Sequence, residues 1–121
     1  MKSGELRGNA VTIDQLIQQL REFVQARDWD KFHSPKNLSM ALSVEAAELV
    51  EHFQWLTEQE SFTLAPDKKA QVALEMADVL IYLLRLADKL GIDLFDSAWR
   101  KLELNEQKYP ADEVRGSAAK R

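Results

Sequence analysis

The stretch KKAQVALEMADVLIYLLRLADKL, residues 68 to 90, constrains the fold more than any other. Its apolar residues recur at helical spacing and reach almost every side of the cylinder, so it predicts one long helix that needs neighbours all round. Asp67 is placed to cap its start and Gly91 to end it. A helix this apolar implies that a second subunit covers part of it. The rest of the chain follows the same period. Thr12 and Gln15 have the form of a capping box, and Ile13, Leu16, Ile17, Leu20, Phe23 and Val24 predict a first helix over 13–28. WDKFHSPKNLS follows without a regular period, and Pro35 disfavours helix at Ser34. A second helix is predicted over 38–60, broken by SFTLAPD, and a fourth over 94–108, capped by Asp93 and closed by Pro110. There is no alternating β-branched run and no Asn-Gly hairpin. The expectation is an all-α four-helix bundle over residues 12–110, assembled as a homo-oligomer. A flexible N-terminus (1–11) and a small, polar, mobile C-terminal tail (111–121) flank it.

At 121 residues the chain has the length of one domain. A net charge of −4 argues against a nucleic-acid partner, because backbone binding rests on clustered lysine and arginine. No cysteine is present, which excludes disulfides, thiolate metal sites and cysteine nucleophiles. MKSGELRGNA has no apolar signal core, and no run of eighteen apolar residues exists, so the expectation is a cytoplasmic protein with no membrane partner.

Carboxylates carry the chemical signal. Glu45 and Glu48 stand three residues apart in LSVEAAELVEHFQW, and Glu75 and Asp78 repeat the spacing in ALEMADVLIYLL, so each pair shares a helix face. The second pair shares its side of the helix with Val79, Tyr82 and Leu86, where ionised acids are costly unless paired or metal-bound. Arg85 is read as pointing away from this face. If the second and third helices pack antiparallel, four carboxylates converge. Four hard oxygen donors without histidine or cysteine suit Mg²⁺, with Mn²⁺ as a substitute, and point to phosphate chemistry. Glu51, turned roughly 60° from Glu48, is assigned a supporting place.

Trp55 lies seven residues after Glu48, two turns along nearly the same face of a continuous helix. Trp29, Phe32 and His33 belong to the loop that enters the second helix, and a flat aromatic near a metal–phosphate site can stack on a nucleobase. His33 by itself reads as a loop or surface residue. Among Lys36, Arg85, Arg100, Lys101 and Lys108, the pair Lys101 and Lys108 is favoured for phosphate, with Asn105 between them on one face.

With these residues in view, the chain resembles the MazG-like all-α nucleoside triphosphate pyrophosphatases. Their E-x-x-E and E-x-x-D signature appears as EAAE and EMAD. FHSPKNLSMALSVEAAELVEHFQW, EMADVLIYLLRLADKLGIDL, and KLELNEQKYP followed by RGSA are similar to the dCTP pyrophosphatase branch. The resemblance covers residues 12 to 119. It implies hydrolysis of a (deoxy)nucleoside triphosphate, dCTP or a modified dCTP, to the monophosphate and pyrophosphate. It implies Mg²⁺ on Glu45, Glu48, Glu75 and Asp78, and a base pocket that includes Trp29, Trp55, Tyr82 and Asn105. It also implies homodimers or homotetramers with sites formed between chains.

Glu48 is the candidate to accept the proton of the attacking water. A carboxylate-bridged di-iron bundle is the rival enzyme, but it wants Glu-x-x-His pairs and the chain has none. A non-catalytic helical interaction module with a solvated acidic face is the other alternative.

Overall fold

The structure is a computed structural model that describes residues 12–121; the segment 1–11, expected to be flexible, lies outside the described residues. Helix α1, Ile13–Ala26, begins with the predicted box: Gln15 N–H donates to Thr12 Oγ1 at 3.1 Å and Thr12 N–H donates to Gln15 Oε1 at 2.9 Å. It stops two residues before the predicted end because Asp28 takes φ 54°, in the left-handed region. The chain then folds back on the helix end, with Trp29 N–H donating to Val24 O at 3.0 Å. A 3₁₀ turn, Asp30–Phe32, follows.

Helix α2, Pro35–Glu51, starts three residues earlier than expected and ends nine earlier. Ser34 is extended, as a residue before proline should be, and its side chain accepts from Asn37 N–H at 3.1 Å. Pro35 itself occupies the first turn, where its fixed φ suits a helix and its missing N–H costs nothing. At the far end, the predicted continuation to residue 60 is overturned. Residues 52–56 are turns, and Thr57 and Glu60 form a second capping box that starts the separate short helix α3, Glu58–Ser61.

Helix α4, Pro66–Leu90, begins at Pro66, so Asp67 sits in its first turn instead of capping it. Gly91 ends it at φ 66°, the positive value that glycine tolerates. Asp93 caps α5, Leu94–Lys108, by accepting from Asp96 N–H at 3.0 Å. The tail is not structureless: α6, Ala111–Val114, follows Pro110, and Tyr109 Oη accepts from Arg121 N–H at 3.0 Å.

The chain forms two compact units, one ending at Leu90 and the other running from Gly91 to Arg121. In the first, α2 packs along α4, and α1 packs on α4. Val24, Leu38, Val72, Leu84 and Ala87 form its buried apolar core. Much of α4 stays uncovered, with Leu74, Met76 and Leu80 exposed, as are Met40 and Val44 on α2. In the second unit, Phe95, Trp99 and Leu102 make an exposed apolar stripe along α5. The all-α expectation holds, with no strand among the described residues.

Candidate active site

The packing of α2 on α4 brings Glu45, Glu48 and Glu75 together, each offering a carboxylate oxygen within 4.8 Å of the others. All three are half-buried. Glu45 Oε2 and Glu75 Oε2 are shielded from solvent and have no hydrogen-bond partner. Glu45 responds as a crowded acid should. The neighbouring Glu75 carboxyl, then burial, then Glu48 push its pKa up from 4.5 to about 8. Three hard oxygen donors, two of them with no protein partner, fit a hard divalent cation such as Mg²⁺ or Mn²⁺.

Asp78 is the exception among the four predicted ligands. It lies one turn beyond Glu75 but is exposed and outside the tight group. Its place is the wall of an adjacent cavity of about 630 Å³ in the first unit, a size suited to a small organic ligand. Leu20, Phe23, Trp29, Ile81 and Tyr82 line this cavity. Trp29 meets Phe23 edge-on at 5.8 Å between ring centroids and keeps 45% of its surface exposed. The acids on α4 therefore run from the carboxylate cluster to a cavity with two sequence-predicted aromatics, Trp29 and Tyr82.

Arg85 corrects the sequence reading. It lines the same cavity as Asp78 and Tyr82 and is only 4% exposed. Seven residues from Asp78 is two turns with about 20° of drift, so the two share a face. Its guanidinium pairs with Asp30 at 3.1 Å and Asp88 at 3.2 Å, and its Nε–H points to His33 Nδ1 at 3.4 Å. Asp30 also pairs with Lys89 at 2.8 Å, and Asp88 accepts from Arg21 Nε at 2.8 Å. Lys89 first, then Arg85, holds the Asp30 carboxyl below its usual range. The Arg21 hydrogen bond does the same for Asp88, and that contact in turn raises Arg21. His33 is half-buried in this network, not a free surface residue, and burial followed by the Arg85 charge lowers its pKa. The sequence signal for this network was Arg85, Asp88 and Lys89 inside an otherwise apolar helix.

The other predicted residues lie elsewhere. Trp55 is not on α2; it sits in the turn after the helix and is 87% exposed. Lys101, Asn105 and Lys108 share one face of α5 in the second unit, with Asn105 half-buried and both lysines exposed. Glu51 is exposed at the last position of α2, while His52 Nδ1 just beyond is shielded and unpartnered.

The family model described as the MazG-like family matches residues 40–120. Over 111 residues, 90% of this chain, the sequence is 40% identical to dCTP pyrophosphatase 1 of Mus musculus and 39% identical to that of Homo sapiens. The chain spans 65% of the length of each of these relatives. The crystal structure of a pyrophosphatase from Archaeoglobus fulgidus matches with a TM-score of 0.77 and 46% identity, covering 81% of this chain and 92% of that one.

Proposed function

The chain belongs to the MazG-like family, and from that we propose that it is a Mg²⁺-dependent nucleoside triphosphate pyrophosphohydrolase. Its substrate in this reading is a (deoxy)nucleoside triphosphate, dCTP or a modified dCTP, and its products are the monophosphate and pyrophosphate. One observation carries the proposal: three crowded carboxylates, two with unpartnered oxygens, continue through Asp78 into an aromatic-walled cavity. The names of the mouse and human relatives support the choice of dCTP.

Glu45, Glu48 and Glu75 would hold the cation, with Asp78 adding a fourth carboxylate toward the cavity. Bound Mg²⁺ supplies positive charge against the triphosphate oxygens and Lewis-acid activation of water. Trp29 and Tyr82 hold the base against the cavity wall. Water adds at the α-phosphorus, the bond to the α–β bridging oxygen breaks, and pyrophosphate leaves with that oxygen. Glu48 takes the water's proton. No covalent nucleophile is required, because phosphoryl transfer rests on positioning and charge neutralisation. The places of Trp55 and Asn105 in substrate binding rest on the resemblance, and those of Lys101 and Lys108 on their charge and shared face of α5. A second copy of the chain, in a dimer or a dimer of dimers, is the proposed cover for the exposed apolar residues of α2 and α4.

The test is pyrophosphate release from each of the eight common (deoxy)nucleoside triphosphates with Mg²⁺ and with EDTA. The expected result is Mg²⁺-dependent release, fastest from dCTP. No release from any of the eight refutes the proposal.

A further inference from the structure

Arg85 is the one charged residue among the fully buried ones described, and charge balance does not explain it. Asp30 has Lys89 at 2.8 Å, and Asp88 has Arg21. Each acid therefore keeps a cation without Arg85. What Arg85 alone contributes is its Nε–H, directed at His33 Nδ1.

That contact fixes the chemistry of the imidazole. A guanidinium has donors and no acceptor, so the nitrogen facing it must be the ring's acceptor. The neutral ring carries one N–H, which is then placed on Nε2. Burial, followed by the positive charge of Arg85, lowers the imidazole's pKa and so disfavours a second proton on the ring. Both His33 and Arg85 line the cavity that holds Trp29 and Tyr82.

We propose that Arg85 is a positioning residue for base selection: by occupying His33 Nδ1 it fixes the ring as the Nε2–H tautomer, so that His33 offers the base a donor and no acceptor. The proposal rests on the nucleotide reading given above. Cytosine presents an acceptor at ring atom N3, the edge His33 Nε2–H would read. Thymine and uracil carry a hydrogen on N3 and would meet the fixed donor with a donor of their own. A polar mismatch in a closed site is rejected more strongly than a small difference in apolar bulk. Without Arg85 the ring can exchange tautomers and accept either edge.

The tautomer is measurable without any assay of activity. The chain has two histidines, His33 and His52, so ¹⁵N ring shifts of labelled protein are assigned by comparison with His33→Gln. The expected spectrum shows His33 Nδ1 unprotonated and Nε2 protonated in the metal-free protein. A protonated Nδ1 overturns the proposal whatever the enzyme does. In Arg85→Met, which keeps bulk and removes the donors, the ring should become a mixture of tautomers. The ratio of kcat/KM for dCTP over dTTP should fall about tenfold, with KM for dCTP rising and kcat nearly unchanged. Unchanged discrimination overturns the proposal. If circular dichroism shows that this variant has not folded, Arg85→Leu, which also removes every donor facing His33 Nδ1, is read by the same two measurements and the same criteria. Loss of pyrophosphate release from every nucleotide by the wild type overturns the function and base selection together, whereas a protonated Nδ1 removes only the role of Arg85.

Discussion

Glu45→Gln removes one charge from the carboxylate cluster while keeping the side chain's shape. Oxygens of Glu45, Glu48 and Glu75 approach within 4.8 Å of one another. Two unit charges at that separation repel by about 3.5 kcal/mol at an effective dielectric constant of 20, and by about 0.9 kcal/mol in bulk water. The half-buried cluster lies between these limits, so ~2 kcal/mol is the working figure. The sign follows from the proton. Folded Glu45 keeps it up to about pH 8, whereas the unfolded chain releases it near 4.5. Between those values the folded state binds more protons, so this contribution is full below 4.5 and is lost as pH rises through about 8. Glutamine never ionises and escapes the loss. In EDTA at pH 9, Glu45→Gln should therefore be more stable than the wild type by about 2 kcal/mol, with the difference shrinking toward pH 5. Urea denaturation of both proteins at pH 5, 7 and 9 measures this difference, and an unchanged m-value confirms that the unfolded states match. Mg²⁺ should reverse the order. At one hundred times its Kd it stabilises the wild type by about 2.7 kcal/mol, and it should do little for the variant. A Glu45→Gln protein no more stable than the wild type at pH 9 in EDTA refutes the crowded-acid account.

Glu75→Gln should abolish Mg²⁺-dependent pyrophosphate release while leaving the helical circular dichroism intact; full activity would sink the metal assignment. Trp29→Ala should raise KM for dCTP by roughly ten- to a hundredfold with a smaller change in kcat, since base stacking contributes ~1–3 kcal/mol. Leu84, 1% exposed in the core of the first unit, should cost about 2–5 kcal/mol on replacement by alanine, read as a lower urea midpoint. Met76→Glu places a charge on the exposed apolar side of α4 and should shift sedimentation toward the monomer; an unchanged assembly would show that this side is not the interface.

The helices were legible because their signals are local. The Thr12–Gln15 box, the Asp93 cap and the Gly91 stop each depend on a few adjacent residues, and each is where the sequence placed it. The two acidic pairs were legible as faces for the same reason. Their meeting was not, because it depends on how α2 lies on α4, and the structure brings three acids together while leaving Asp78 at the cavity wall. His33 shows the same limit, since its partner Arg85 is fifty-two residues away and no local pattern joins them.

The two clearest errors share one geometric cause. Residues seven apart lie on nearly one face only while the helix between them is unbroken. Glu48 and Trp55 satisfy the count, but α2 ends at Glu51, so Trp55 leaves the acidic face and stands in solvent. Asp78 and Arg85 satisfy it too, and α4 runs on without interruption to Leu90, so Arg85 stays on the face from which it had been excluded. What separates the cases is present in the sequence. Thr57 and Glu60 form a capping box that claims the residues after Trp55 for a new helix, and nothing comparable competes with α4 between Asp78 and Arg85. Competition between start signals, more than periodicity, therefore decides which spacing carries a shared face, and here it moves the buried cation of the cavity from the periphery of the reading to its centre.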